Sequence, residues 1–184
     1  MQQEGLIEML ILESEGLTIG YRGVNQKIVR VVDNVSFELE KGETLGIVGE
    51  SGCGKSTLVR AIMGYLRPGG QILGGSVRFK GTSVLALEHG ELQRLRGQQM
   101  AVVPQNPLSS LTYHMRVGDQ IDEILQIHRG LNRNDARDET LNLFQATRLP
   151  EPAQIYRRYP HQLSGGQRQR VVISAALACK PSVM

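Results

Sequence analysis

The chain has 184 residues, of which 40% are hydrophobic. That length can bury one substantial core and a small second lobe, but it excludes two large domains. The formal charge of +3 comes from 21 basic and 18 acidic residues, an excess too small to indicate nucleic-acid binding, so we expect no nucleic-acid partner.

The first part of the chain has the pattern of strands followed by a loop and a helix. Apolar residues between Met9 and Glu40 alternate with polar ones and predict β-strands. Lys41-Gly42 predicts a turn. Leu45–Val48 predicts a short buried strand, and the spacing of apolar residues at 58–63 predicts a helix that ends at Gly64.

The second part of the chain alternates between short strands and helices. Ser76–Lys80 and Met100–Val103 predict two further strands, and Pro104 ends the second. Two helical faces follow, one formed by Val117, Ile121, Ile124 and Leu125 and the other by Leu141 and Phe144. Gln167–Cys179 predicts a final helix. The pattern therefore predicts an α/β fold, with a mixed sheet around the glycine-rich loop, an antiparallel β region and a helical insert.

Membrane spans and disulfides are not predicted. The longest apolar run, 171–179, is far shorter than the roughly 20 residues that a spanning helix needs. Glu4 and Glu8 stand where a secretory signal carries positive charge. Cys53 and Cys179 form no Cys-x-x-Cys pair, which favours a reducing, cytosolic compartment. Any membrane role is therefore expected to depend on a partner.

The glycine-rich loop matches a complete phosphate-binding pattern of glycine, four residues, glycine, lysine, then serine or threonine. It comprises Gly49, Glu50, Ser51, Gly52, Cys53, Gly54, Lys55, Ser56 and Thr57. Glycines let backbone amides curl around an anion at the start of a helix. Lys55 supplies charge for the β and γ phosphates, and Ser56 offers a hydroxyl to Mg²⁺. The loop therefore predicts ATP and Mg²⁺ as cofactors. The alternative is a glycine-rich turn that merely joins a strand to a helix. Cys53, inside the loop, is either a reactive thiol or a passive small side chain.

A second motif near the end of the sequence narrows the choice among nucleotide-binding proteins. It comprises Leu163, Ser164, Gly165, Gly166 and Gln167, followed by Arg168-Gln169-Arg170. It resembles the signature of the ATP-binding cassette family. Because Ser164 and the two glycines begin a helix, they predict a second anion site; the alternative is a capped surface helix.

The resemblance implies roles for further residues and chains. The signature of one subunit would close over ATP held by the phosphate loop of a second ATP-binding subunit, identical or different. Gln105 matches the glutamine that contacts Mg²⁺ and the attacking water, and Tyr21 matches the aromatic residue that stacks on adenine. The alternatives are an ordinary loop amide for Gln105 and a half-buried strand aromatic for Tyr21.

Two segments resemble one branch of that family, the prokaryotic importers of oligopeptides, dipeptides and nickel. They are Pro104–Leu111 and Tyr159–Gln162, although Thr112-Tyr113 stands where the branch has Asn-Pro. The branch implies two integral membrane permease subunits and an extracytoplasmic substrate-binding protein as partners. It also implies a peripheral location on the cytoplasmic face of the inner membrane. His161, beside the signature, is interpreted as structural.

The residues that the family uses to hydrolyse ATP are not found in this sequence. The family has an aspartate and a glutamate on a strand after the signature helix, and then a switch histidine, but no Asp or Glu follows Glu151 here. The sequence is therefore interpreted as a C-terminally truncated fragment that binds ATP without hydrolysing it. We expect a partial ATP-binding domain at 7–184, divided into a nucleotide-binding core at 7–106, a helical subdomain at 107–163 and the signature helix at 164–184.

Two other functions remain open. The first is a non-transport ATPase of DNA repair or chromosome maintenance, which shares both motifs but usually separates them by a coiled coil or a zinc module. The second is a regulatory module that binds nucleotide and never hydrolyses it.

Overall fold

The computed structural model describes residues 10–23 and 26–184, which fall into two compact units with the division between Leu92 and Gln93. The start of the predicted ATP-binding domain at residue 7 and the predicted first strand residue, Met9, lie outside the described residues. The predicted subdomain ranges remain predictions.

The described residues of the first unit form a four-stranded antiparallel sheet, a helix and a 3-10 turn at Val84–Ala86. The strands follow the order β2-β1-β3-β4. The strands are β1 Leu10–Arg22, β2 Ile28–Glu40, β3 Gly70–Phe79 and β4 Thr82–Ser83. Helix α1, Lys55–Ile62, lies between β2 and β3 in the sequence. The core contains Leu17, Ile19 and Val77, which are fully buried, because alternate residues of a strand point to the same face. The predicted antiparallel β region, the predicted strand at 76–80 and the helix after the loop are confirmed.

The predicted strand Leu45–Val48 is wrong for this structure. Residues 43–50 have no regular secondary structure. The exposed fractions of Leu45, Ile47 and Val48 are 39%, 38% and 92%. A strand needs a hydrogen-bonded neighbour, and no strand among residues 10–23 and 26–184 pairs with this segment.

The second unit is mainly helical. Helix α2, His89–Gln98, includes the division between the units. The helices that follow are α3 Val117–Arg129, α4 Arg133–Ala146, α5 Pro152–Tyr156 and α6 Gly165–Leu177. Short 3-10 turns form at Pro107–Ser110 and Pro160–Gln162. The predicted face of α3 is confirmed, because Val117, Ile121 and Leu125 are buried in one core. Of the predicted α4 face, Phe144 is buried in the same core, whereas Leu141 is half-buried and lies outside it. That core also holds Leu163 and Val171, which attaches the final helix to α3 and α4.

The predicted strand Met100–Val103 is reduced to a single residue. Met100 forms a parallel bridge with Val183, and the Ala101 amide donates a 2.9 Å bond to the Val183 carbonyl oxygen. Val102, next in line, is 49% exposed. The predicted mixed sheet also required parallel strands. Among residues 10–23 and 26–184, this one bridge is the only parallel pairing.

A buried polar cluster joins three helices of the second unit. The Thr140 hydroxyl on α4 donates a 2.6 Å hydrogen bond to Asp122 Oδ1 on α3, and the Tyr156 hydroxyl on α5 donates to Asp122 Oδ2. Burial, and then the bond to Asp122, raises the pKa of the Tyr156 phenol well above its usual range, so the phenol keeps its donor proton. The cluster holds α5 against α3 just before the signature.

Within residues 10–23 and 26–184, no helix has both the length and the hydropathy needed to cross a bilayer.

Candidate functional site

The phosphate loop leads directly into α1. Residues 51–54 form turns and bends, and α1 begins at Lys55, with Gly54 as its N-cap. No side chain caps this end of the helix. The first amides of α1 therefore have no side-chain acceptor, and the positive end of the helix dipole is presented to solvent. This arrangement is what an anion-binding helix start requires.

Gly54 cannot carry a side chain in this conformation. Its φ of 100° lies in the left-handed region. A Cβ placed on it would lie 2.5 Å from the Val31 carbonyl oxygen of β2. The close approach between the loop and β2 therefore depends on glycine at this position.

Lys55 folds back over the loop that precedes it. Its Nζ donates hydrogen bonds of 2.7 Å to the carbonyl oxygens of both Gly49 and Glu50, and it lies 3.6 Å from Cys53 Sγ. The ammonium group is thus held over the centre of the loop. A phosphate oxygen there would meet a cation together with backbone donors, which fits the requirements of a nucleotide β or γ phosphate.

The other loop residues lie at the surface. Glu50, Ser51, Cys53 and Ser56 are exposed, while Thr57 is half-buried in the first turn of α1. The Ser56 hydroxyl is therefore accessible for a metal ion. Among the described residues, no group of three or more His, Cys, Asp and Glu side chains could hold a metal by itself.

Tyr21 lies near the end of β1 and in the same unit as the phosphate loop. It pairs with Val29 of β2 and with Gly70 of β3. A Cβ on Gly70 would lie 2.9 Å from Tyr21 Cε1, so the ring packs closely on the β3 backbone. The hydroxyl is buried and has no hydrogen-bond partner among the described residues. Adenine stacking by Tyr21 stays a prediction.

The predicted signature forms the start of α6. Ser164 Oγ accepts a 3.2 Å bond from the Gln167 amide, and Gln167 Oε1 accepts a 3.0 Å bond from the Ser164 amide. This reciprocal pair is a capping box. Leu163, immediately before it, is 3% exposed and anchors the segment in the core. The capped helix that was the alternative interpretation is therefore present, and the second anion site stays a prediction.

The two signature glycines are not required by packing against the residues that the structure describes. No described atom lies within 4 Å of a Cβ built on Gly165 or on Gly166. Both residues are exposed and helical. Because glycine is less favourable than alanine in a helix by about 1 kcal/mol, internal packing does not explain the pair. Their place at an open helix start instead suits close approach by an external group.

Gln105 lies in the second unit, as the signature does. It is exposed, in a bend that precedes the 3-10 turn Pro107–Ser110. The Asn106 side chain caps that turn by accepting a 3.1 Å bond from the Leu108 amide. Tyr21 and the phosphate loop thus belong to the first unit, and Gln105 and the signature belong to the second.

Sequence reasoning missed the Asp122 cluster. A signal was available, because Asp122 borders the apolar face that Val117, Ile121 and Leu125 form on α3. A carboxylate at such a position needs buried donors, which Thr140 and Tyr156 supply.

Comparisons with known sequences give one consistent match. The family described as "ABC transporter" matches residues 32–184. The chain is 44% identical over 156 residues to the oligopeptide transport ATP-binding protein OppD of Salmonella typhimurium, covering 85% of this chain and 46% of that protein. It is 41% identical over 157 residues to the dipeptide transport ATP-binding protein DppD of Bacillus subtilis, covering 85% and 47%. The chain spans about half the length of the curated relatives it matches.

Solved structures match in fold as well. The ATP-binding cassette MJ0796, in a dimeric post-hydrolysis state bound to ADP and Pi, superposes with a TM-score of 0.81 at 27% identity, covering 93% of this chain and 71% of that one. The CbiO1 subunit of an ABC transporter complex from Clostridium perfringens gives a TM-score of 0.74 at 24% identity, covering 95% and 63%, which supports the fold alone. The predicted α/β fold of the cassette type is confirmed.

Proposed function

This chain belongs to the ABC transporter family, and from that premise we propose that its phosphate loop binds Mg-ATP. The observation that carries the proposal is the position of Lys55, whose ammonium group lies 2.7 Å from the Gly49 and Glu50 carbonyl oxygens at the uncapped start of α1. A triphosphate would exchange those carbonyl contacts for stronger, charge-assisted bonds and would add the amides of the loop. Ser56 and Gln105 are the proposed Mg²⁺ ligands from this chain, and Tyr21 is the proposed contact of adenine.

Thermal unfolding tests this proposal. A ligand present at 100 times its Kd stabilises the folded state by about 2.7 kcal/mol. We therefore expect Mg-ATP, but not adenosine at the same concentration, to raise the midpoint of unfolding, because the phosphates provide most of the contacts. Equal midpoints with and without Mg-ATP at millimolar concentration would contradict the proposal.

The biological role that we propose is ATP-driven import of peptides. The relatives named above are oligopeptide and dipeptide transport ATP-binding proteins. The segments 104–111 and 159–162 resemble the same branch, which also includes nickel importers. The proposed partners are a second ATP-binding subunit, two membrane permease subunits and, through them, an extracytoplasmic substrate-binding protein. The proposed location is the cytoplasmic face of the membrane.

The proposed role of the signature is to approach ATP held by another subunit. The open surface at Gly165 and Gly166 supports this proposal, because it leaves the start of α6 accessible to an external group. The Ser164 capping box already uses the Gln167 amide, so the proposed contact involves the exposed glycines. The dimeric state of the MJ0796 cassette also supports it. Each complete nucleotide site would then combine two chains.

We also propose that the 184-residue chain binds ATP without turning it over. No aspartate or glutamate follows Glu151 in this sequence, and loss of a positioned general base typically slows a reaction about 10²- to 10⁴-fold. Phosphate release by the purified chain, at a rate matching that of a relative such as OppD assayed in parallel, would contradict this.

A further inference from the structure

The loop that follows Gln105 touches the segment that leads into the signature through aromatic rings. Tyr113 and His161 have ring centroids 5.1 Å apart with an angle of 34° between their planes. His161 and Tyr159 have centroids 5.7 Å apart and nearly parallel planes, at 13°. Tyr113 is 62% exposed, so burial of a hydrophobic side chain is not the main reason for its placement.

The Tyr113 side of this contact is fixed to α3. The Gln120 carboxamide accepts a 2.9 Å bond from the Thr112 amide and donates a 2.9 Å bond back to the Thr112 carbonyl oxygen. The same nitrogen donates a 3.0 Å bond to the Met115 carbonyl oxygen. One side chain therefore holds the backbone on both sides of Tyr113, and the position of the ring is determined by α3.

The His161 side is fixed to the start of α6. Gln162 Oε1 accepts a 2.9 Å bond from the Tyr159 amide, and Arg168 Nε donates a 2.9 Å bond to the Pro160 carbonyl oxygen. A separate backbone bond of 2.9 Å, from the Val117 amide to the Arg158 carbonyl oxygen, joins the same segment to the first residue of α3. Only Gln162 and Leu163 separate His161 from Ser164.

We propose that Tyr113 and His161 are positioning residues for the signature, holding the loop 106–116 and the segment 157–163 as one body. A displacement of the loop beyond Gln105 would then move the capping box of Ser164 with it. The proposal rests on the proposed function, in which Gln105 and the signature both serve nucleotide binding. Tyr113 replaces the proline expected in the importer branch, and a proline ring has no aromatic face for this contact.

Hydrogen exchange of the whole 184-residue chain tests the proposal without nucleotide. The readouts are the Ser164 and Gln167 amides, both of which belong to the capping box, with the amides of α4 as an internal reference. Removing an aromatic contact from this segment should raise exchange of the two capping amides about 2- to 10-fold in Tyr113→Ala and in His161→Ala. Tyr113→Phe keeps the ring and should exchange at the wild-type rate.

The matched control is Ile127→Ala, which removes an apolar side chain that is 67% exposed on α3 of the same unit. It should leave the capping amides unchanged. Capping amides that exchange at the wild-type rate in both alanine variants would overturn the proposal. An increase of equal size throughout α4 would overturn it too, because it would show that Tyr113 only adds general stability. Since no nucleotide is present, either failure leaves ATP binding by the phosphate loop standing.

Discussion

Thr140 donates a 2.6 Å hydrogen bond to Asp122, and both side chains are buried between α3 and α4. A buried carboxylate that loses a donor retains its desolvation penalty, so Thr140→Val should lower the free energy of unfolding by about 1 to 3 kcal/mol. Urea denaturation measures this change. Thr112→Val, at an exposed position of the same unit, is the control and should change stability little. Equal denaturation midpoints for the two variants would show that the Asp122 cluster is not stabilising.

Gly54→Ala should be more destabilising than Gly52→Ala. Both glycines have φ in the left-handed region, 100° and 86°, where a side chain adds roughly 1 to 2 kcal/mol of strain. At Gly54 the new Cβ would also lie 2.5 Å from the Val31 carbonyl oxygen, whereas no described atom lies within 4 Å of a Cβ on Gly52. Urea denaturation of both variants tests the difference, and an equal loss of stability would contradict the close approach of the loop to β2.

Gly165→Ala and Gly166→Ala should leave the fold intact or make it more stable. The position of each added Cβ is open, and alanine is the better helix former by up to about 1 kcal/mol. We expect both variants to unfold at the wild-type urea concentration or above it. Clear destabilisation by either substitution would mean that the glycines serve internal packing, which would remove the structural support for an external partner at this helix start.

The ion pair between Arg129 and Glu139 makes stability depend on pH. Its N–O distance is 2.7 Å, and the side chains are 28% and 27% exposed. The Arg129 hydrogen bond holds the pKa of Glu139 below its usual value of 4.5. Because the folded pKa lies below the unfolded one, the stabilisation is present above the unfolded pKa and is lost as the pH falls through the folded pKa.

Glu139→Gln should therefore be less stable than the wild type at pH 7, and the difference should shrink as the pH falls below about 4.5. Urea denaturation across this range measures it. Glu123→Gln, at an exposed position of α3, is the control. A difference between Glu139→Gln and the wild type that stays constant down to pH 3 would contradict the assignment of this pH dependence to the ion pair.

Sequence patterns predicted best where local chemistry decides the structure. The helix after the phosphate loop and the final helix after Gly165-Gly166 were both predicted, because glycines and apolar spacing are signals that neighbouring residues carry. The buried face of α3 follows from the spacing of Val117, Ile121 and Leu125 in the same way.

Features that depend on distant residues were predicted less well. Leu45–Val48 has the composition of a buried strand, but composition does not specify the neighbour that a strand needs, and here the segment is exposed. Met100 bridges Val183, which is distant in sequence. The contact of Tyr113 with His161 and the bonds from Thr140 and Tyr156 to Asp122 likewise join residues from different helices and turns, and no local pattern specifies such pairs.

Calorimetric titration of Mg-ATP is the most direct test of the central claim that the phosphate loop binds nucleotide through Lys55. The comparison uses the wild type, Lys55→Ala and Lys41→Ala, which removes an exposed lysine from the turn before the loop. We predict binding by the wild type and by Lys41→Ala, and an affinity at least about tenfold lower for Lys55→Ala, since a charge-assisted bond contributes about 1.5 to 3 kcal/mol. Equal affinity of all three proteins, or no binding by the wild type, would contradict the account.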